Sequence, residues 1–237
     1  NHAKKAHQDM EAAVIEALAQ NGRAVTIGME MFQRPKQDIL DKWSAGDLQQ
    51  KDFLEQVDWK GQWGYPYEFY RPVLEEARIR HLGLVGLNIP RDWVRTASRQ
   101  GIDKLPTSAK LQLPPAMFLG NKDHRRIFDA LVGPHAMPGV SPDNMYSAQV
   151  LWDEAMSDTA LKYIAVAPEK PNQVFVVVAG SGHVMYEQGI NFRINRRRGG
   201  RGVTLVMMEA DKPAEVSRGI ADFVFVSQTV LENSKSG

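Results

Sequence analysis

The chain has 237 residues, 43% hydrophobic and 24% charged, with a formal net charge of +1 and a pI near 8.1. That balance suits an ordinary globular body and supplies no global field for nucleic acid. There is no cysteine, which excludes thiolate metal sites, disulfides and thiol nucleophiles, and the longest apolar run, Val174–Ala179, is far short of the ~20 residues of a membrane helix.

The chain opens in a helical pattern, with Met10, Ala13, Val14, Ala17 and Leu18 on one face and a stop at Asn21-Gly22. Ala24–Met29 is β-branched and too short for a helix, so it is expected to be a buried strand that ends in Glu30. Pro35 opens a helix to about Ser44, and Asp52–Val57 forms a short one. Trp59–Tyr67 is a Gly- and Trp-rich turn region, followed by a helix over Pro66–His81. Leu82–Leu87 is the second strand, ending at Asn88, and Pro90 starts another helix. Ile102 to Val140 is proline-rich and irregular, with one helix over Lys122–Leu131; such a segment suits a lid or binding loop.

Ser141-Pro142 caps a long helix with Met145, Ala148, Trp152, Ala155, Met156, Thr159 and Tyr163 on one face. Val174–Ala179 is the third strand and runs into Gly180-Ser181-Gly182-His183. Val203–Met208 and Phe223–Val226 supply two more strands. Strands separated by helices imply a mainly parallel sheet covered on both faces, an α/β fold. No linker divides the chain, so residues 1–237 are taken as one domain with an irregular insertion at about 102–140.

Ligands of open parallel sheets bind outside the carboxyl ends of the strands. Three strands end in Glu30, Asn88 and His183, which should therefore share one crevice. Glu30 is either a partnered structural carboxylate or a site acid/base or metal ligand. The glycines before His183 let backbone approach a ligand closely. Gln149 and Asp153, four apart on the long helix, either hydrogen-bond a site histidine or form a plain polar flank. The aromatic stretch Trp59, Trp63, Tyr65, Tyr67, Phe69 and Tyr70 is either core or the wall of a flat ligand. Met117, Phe118, His135 and Met137 carry the same two readings. Arg196, Arg197, Arg198 and Arg201 lie among glycines, as a solvated loop between strands or one facing an anion. Most of His2, His7, His81 and His124 are expected at the surface. H-E-x-x-H, G-x-S-x-G, Walker and post-strand G-x-G-x-x-G motifs are absent.

The combined motifs resemble the ChaN family of haem-binding uptake lipoproteins (the DUF399 domain). They are Gly28-Met29-Glu30-Met31-Phe32, Trp63-Gly64 with Tyr70 and Pro72, Leu87-Asn88-Ile89-Pro90, Ala148–Met156, and Ala179–His183 with Tyr186 and Gly189-Ile190. The resemblance runs from about residue 7 to about residue 227. It implies a periplasmic or outer-membrane lipoprotein of haem and iron uptake, working as a dimer around two stacked haems ligated by tyrosine, alongside envelope haem-uptake proteins. Tyr70 and Tyr186 are then the candidate iron ligands, with Arg71 or Arg193 as cationic neighbours. Glu30, Asn88, His183, Gln149 and Asp153 complete the haem-binding set.

The wider clan, with Tiki-type metalloproteases and erythromycin esterases, implies an alternative: a divalent-metal-dependent hydrolase using Glu30 and His183. Two departures accompany the resemblance. The family's opening strand, with its Gly-Glu-x-x-His-like motif, is expected upstream of Asn1, as is any export address, and a sheet without that strand has an unpaired neighbour. Asn191 stands where a proline is expected.

Overall fold

The computed structural model describes residues 4–114, 116–132, 139–166, 172–198, 202–211 and 215–228. In chain order the elements are α1 (Lys5–Gln20), β1 (Ala24–Gln33), α2 (Gln37–Ala45), α3 (Gln50–Gln56), α4 (Trp59–Gln62), α5 (Tyr67–Ile79), β2 (Gly83–Asn88) and α6 (Arg91–Gln100). They continue with α7 (Thr107–Lys110), α8 (Lys122–Val132), α9 (Pro142–Val166), β3 (Gln173–Val178), α10 (Ile190–Arg198), β4 (Leu205–Ala210) and β5 (Phe223–Gln228).

β1 is central in a parallel sheet of order β2-β1-β3. Its side chains alternate between two cores, as a strand period of two requires. Val25, Ile27, Met29 and Met31 join Ala12 and Ile15 of α1, Leu40 and Trp43 of α2, and Val73, Leu74 and Ala77 of α5. On the other face, Val85 and Leu87 of β2 and Phe175 and Val177 of β3 meet Met156 and Ala160 of α9 and Ile190 of α10. Gly28 belongs to this second face, where a Cβ would come within 2.7–2.9 Å of Phe175 and Leu87 side-chain atoms. Glu30, two residues on, shares the parity of Gly28 and so turns toward α9. The α/β class, the parallel pairing and the helices on both faces match the sequence expectation.

Five expectations need correction. The remaining strands do not join this sheet: β4 and β5 pair in parallel as a separate two-stranded sheet, with β4 starting at Leu205. Thr204 is diverted into a clasp with Asp222, whose Oδ2 accepts from Thr204 N (2.8 Å) and Oγ1 (2.9 Å). Among the described residues β3 pairs only with β1, and β4 only with β5. Second, α9 has no single apolar face. It is buried all round between Val150 and Ser157, because it packs against α6, α10 and the sheet at once. Third, the arginine cluster is not a loop, since Arg193 to Arg198 lie in α10; Arg201 lies outside the described residues. Fourth, Trp59–Gln62 forms a helical turn within the expected turn region.

The buried face of α1 is also rotated from the expected one. It carries His7, Gln8, Ala12 and Ile15, while Ala13 and Ala17 are exposed. His7, Gln8 and Glu11 line a cleft of about 30 Å³ against Tyr70, Gly180 and the β4 residues Leu205–Met207. Burial raises the Glu11 carboxyl from an ordinary 4.5 to about 7. A raised acid favours the protonated fold, so its contribution is complete below pH 4.5 and is lost as pH rises through about 7. Glu11→Gln is therefore expected to leave stability unchanged at pH 4 and to raise it at pH 8 by on the order of 1–3 kcal/mol. Urea denaturation at the two pH values measures the difference, and an equal effect at both would refute it.

Candidate functional site: a carboxylate–imidazole–carboxylate line at the strand ends

Three segments deliver the charged centre of the site. Glu30 comes from β1, Asp153 from the middle of α9, and His183 from the tight turn after β3 (Ser181–His183). His183 Nδ1 donates to Asp153 Oδ1 at 2.5 Å, and His183 Nε2 lies 3.5 Å from Glu30 Oε1. The other Glu30 oxygen accepts from Gly180 N at 2.6 Å, so the glycine turn is clamped to the end of β1. Asn88 Nδ2 donates to Glu30 O at 3.0 Å, and Asn88 Oδ1 accepts from Ile89 N at 2.9 Å. The three strand ends thus meet on one rim, with Asn88 holding the main chain there. Gln149 Nε2 sits 3.0 Å from His183 Nδ1, and the Trp152 ring meets His183 edge-on at 5.9 Å.

The charges decide each other's state. Burial alone would depress His183, but Glu30 and Asp153 outweigh it and hold the imidazole at about 10. Burial alone would raise Asp153, but His183, His124 and Arg193 outweigh it and hold the carboxyl at about 2. At neutral pH the centre is therefore an imidazolium between two carboxylates, with no lone pair free on His183.

Sequence reasoning missed His124 here and gave Arg193 a different role, as a cationic neighbour of a haem-ligating tyrosine. His124, expected at the surface, is buried, and its Nε2 lies 3.1 Å from Asp153 Oδ2. Its signal was available: Ile127, Phe128 and Leu131 follow at the third, fourth and seventh positions, which puts His124 on the apolar face of α8. Arg193 is 0% exposed. It lies 3.5 Å from both Asp153 Oδ2 and Glu154 Oε1 and donates to the carbonyls of Gln188 (3.0 Å) and Gly189 (2.8 Å). The fully buried Glu154 also takes Arg196 and Arg197 and accepts from Phe118 N at 3.0 Å. His7 too is buried rather than exposed, His81 is exposed, and His2 lies outside the described residues.

Above His183 opens a cavity of about 310 Å³. Ile127, Phe128, Leu131 and Val132 of α8 form an apolar wall, with His124 of the same helix at its polar end, and Gln149 and Gly180–His183 form the polar floor. The aromatic stretch does not line it. Trp59 and Trp63 interlock with Tyr70, and Trp59 also packs on Phe32 and Tyr67 in the core on the opposite face of the sheet. Phe118 stacks on Phe192 beneath Arg196, Met117 packs beside α6, and His135 and Met137 lie outside the described residues.

The two candidate tyrosines differ. Tyr70 is fully buried, lines the 30 Å³ cleft, and has its phenol raised by burial. Tyr186 is half-buried in a turn where it and Glu187 both adopt left-handed backbone, φ 55° and 58°, and its N–H donates to Ile220 O at 2.8 Å. Two consecutive non-glycine residues in that region are costly and mark a constrained turn. Arg71 is exposed on α5 and acts on Tyr67. Among the described residues, no group of three or more His, Asp or Glu side chains is placed to hold a metal ion.

These features define an α/β domain with a buried charge centre and an adjoining apolar cavity at the strand ends of a parallel sheet. Residues 1–194 match the model of the family described as haem-binding uptake, Tiki superfamily, ChaN, and the chain belongs to that family. The fold is similar to a solved structure titled cofacial heme binding to ChaN of Campylobacter jejuni, with a TM-score of 0.67 and 16% identity. The match covers 94% of this chain and 83% of that one. A search of curated proteins found no match.

Proposed function

We propose that this chain binds haem in the cavity between α8 and the Gly180–His183 turn, as a periplasm-facing lipoprotein of haem uptake acting as a dimer. Membership of the haem-binding family over residues 1–194 carries the reading. The chemistry of the cavity fits a flat, apolar, dicarboxylate ligand. The Ile127, Phe128, Leu131 and Val132 wall takes an apolar face and the Gln149 amide offers a polar group to a carboxylate, while both N–H groups of His183 are already directed at Asp153 and Glu30. As an imidazolium between Asp153 and Glu30, His183 has no lone pair to give iron, and Tyr70 is buried beside the 30 Å³ cleft rather than the cavity. Tyr186 is not among the residues that line the cavity, but its half-buried phenol in the turn that follows His183 is the more accessible of the two, and ferric iron itself lowers the pKa of a coordinating phenol. Bound haem would supply the iron centre; this chain's part is to enclose, orient and ligate.

Hemin titration followed in the Soret region is expected to saturate for the wild type. Tyr186→Phe should weaken binding about tenfold or more and remove the phenolate-to-iron absorption, while Tyr70→Phe leaves both intact. Absence of any saturable spectral change in the wild type would falsify the proposal.

A further inference from the structure

Among the described residues, the wall of the cavity is attached to the rest of the protein by few contacts. Phe128 packs on Tyr146 and Val150 of α9, with Val132 and Met145 beside them. The other attachments described are polar and sit toward the N-terminal end of α8. Arg125 reaches Asp143 at 2.7 Å and lies over the Tyr146 ring, both at the surface. Asn121 caps the helix by accepting from His124 N at 3.1 Å, and its Nδ2 donates to Gln188 Oε1 at 2.8 Å. The buried tie is His124. Its Nε2 faces Asp153 Oδ2 at 3.1 Å, and its Nδ1 lies 3.3 Å from the Tyr146 hydroxyl and 3.5 Å from Arg193 Nη2. Asp153 is thus shared, with one oxygen on the histidine of the wall and the other on the histidine of the floor.

We infer that His124 is a positioning residue for the ligand cavity, setting the distance between the α8 wall and the His183 floor through their common carboxylate. The inference rests on the haem reading above. An imidazole nitrogen held 3.1 Å from a buried carboxylate oxygen resists displacement electrostatically, and an apolar contact such as Phe128 on Val150 does not. Loss of the tie therefore leaves α8 packed but free to slide, which widens the cavity. It also releases one Asp153 oxygen and so loosens the orientation of His183. The rest of the wall and the floor keep their side chains, yet the ligand meets a slack pocket, and binding suffers through lost preorganisation.

The donor position distinguishes this role from mere filling of space. A glutamine amide nitrogen falls about where Nε2 sits, and an asparagine amide stops about where Nδ1 sits. Hemin affinity and the Soret maximum are to be measured for the full chain and for His124→Gln, His124→Asn and His124→Phe. His124→Phe and His124→Asn should bind about tenfold or more weakly with a shifted Soret band, and His124→Gln should bind within about threefold of the wild type. If His124→Phe fails to fold, judged by circular dichroism, the Gln and Asn variants decide alone. Equal affinities for these two, whether both unchanged or both weakened, overturn the inference, as does a folded His124→Phe that binds like the wild type. A wild type that takes up no hemin removes the haem reading and this inference with it, an outcome distinct from the others.

Discussion

Asp153→Ala is expected to lower the unfolding temperature by roughly 10 °C, from a loss of about 3–5 kcal/mol. The carboxylate is 0% exposed and touches three buried groups, His183 Nδ1 at 2.5 Å, His124 Nε2 at 3.1 Å and Arg193 Nη1 at 3.5 Å. Removing it leaves two cationic groups and a polar imidazole without their shared acceptor, and the cost of that stranding exceeds what the pair gained by forming. The pH dependence identifies the cause. Asp153 is held at about 2, so its contribution is present above the ordinary 3.8 and vanishes as pH falls through about 2. His183 is held at about 10, so its contribution is present below 6.5 and fades as pH rises through about 10. The gap between wild type and variant should therefore be widest from about pH 4 to 6.5 and close toward both extremes. Thermal melts across that range test this; a gap independent of pH would mean that lost packing, not charge, is responsible. An exposed pair such as Arg95–Asp92, 3.2 Å apart, serves as control, with an expected effect below about 1 kcal/mol.

The frame of the site was legible because it depends on short-range rules. A β-branched run ending in Glu30, another ending in Asn88 and a third entering a glycine turn at His183 are local patterns, and parallel strands place their carboxyl ends together. Of the two readings of the i,i+4 pair Gln149 and Asp153, contact with a histidine is the one the structure shows. What escaped was set by other elements. His124 has no polar partner within its own helix; the partner is across the cavity on α9. Arg193 sits in a run of basic residues whose composition suggests solvent, and its burial follows from two acidic residues on α9 forty residues earlier. The polar face of α1 is similar, since His7, Gln8 and Glu11 oppose the apolar stripe that periodicity selects. Buried charge breaks the equation of apolar with inside, and only its distant partner restores it.

Gly189→Ala is expected to cost about 3 kcal/mol or more in stability and to abolish tight hemin binding. A Cβ on residue 189 would lie 2.0 Å from the carbonyl oxygen of His183 and 2.5 Å from its carbon. Both are backbone atoms, so no rotamer change relieves the contact, and the chain from 183 to 189 must open. That turn already holds Tyr186 and Glu187 in left-handed backbone and presents the carbonyls of Gln188 and Gly189 to Arg193. Opening it moves His183, displaces Tyr186 and strips Arg193 of two acceptors at once, so one methyl group reaches the floor, the candidate iron ligand and the buried charge centre together. Gly182→Ala is the matched control. A Cβ there first meets Leu131 Cδ1 at 3.9 Å, ordinary contact with a flexible side chain, and the expected cost is within about 0.5 kcal/mol. Urea midpoints at constant m-value separate the two variants. If Gly189→Ala unfolds within about 1 kcal/mol of the wild type, the close approach of residues 183 and 189 is not a feature of the folded protein, and the geometry assigned to Tyr186 falls with it.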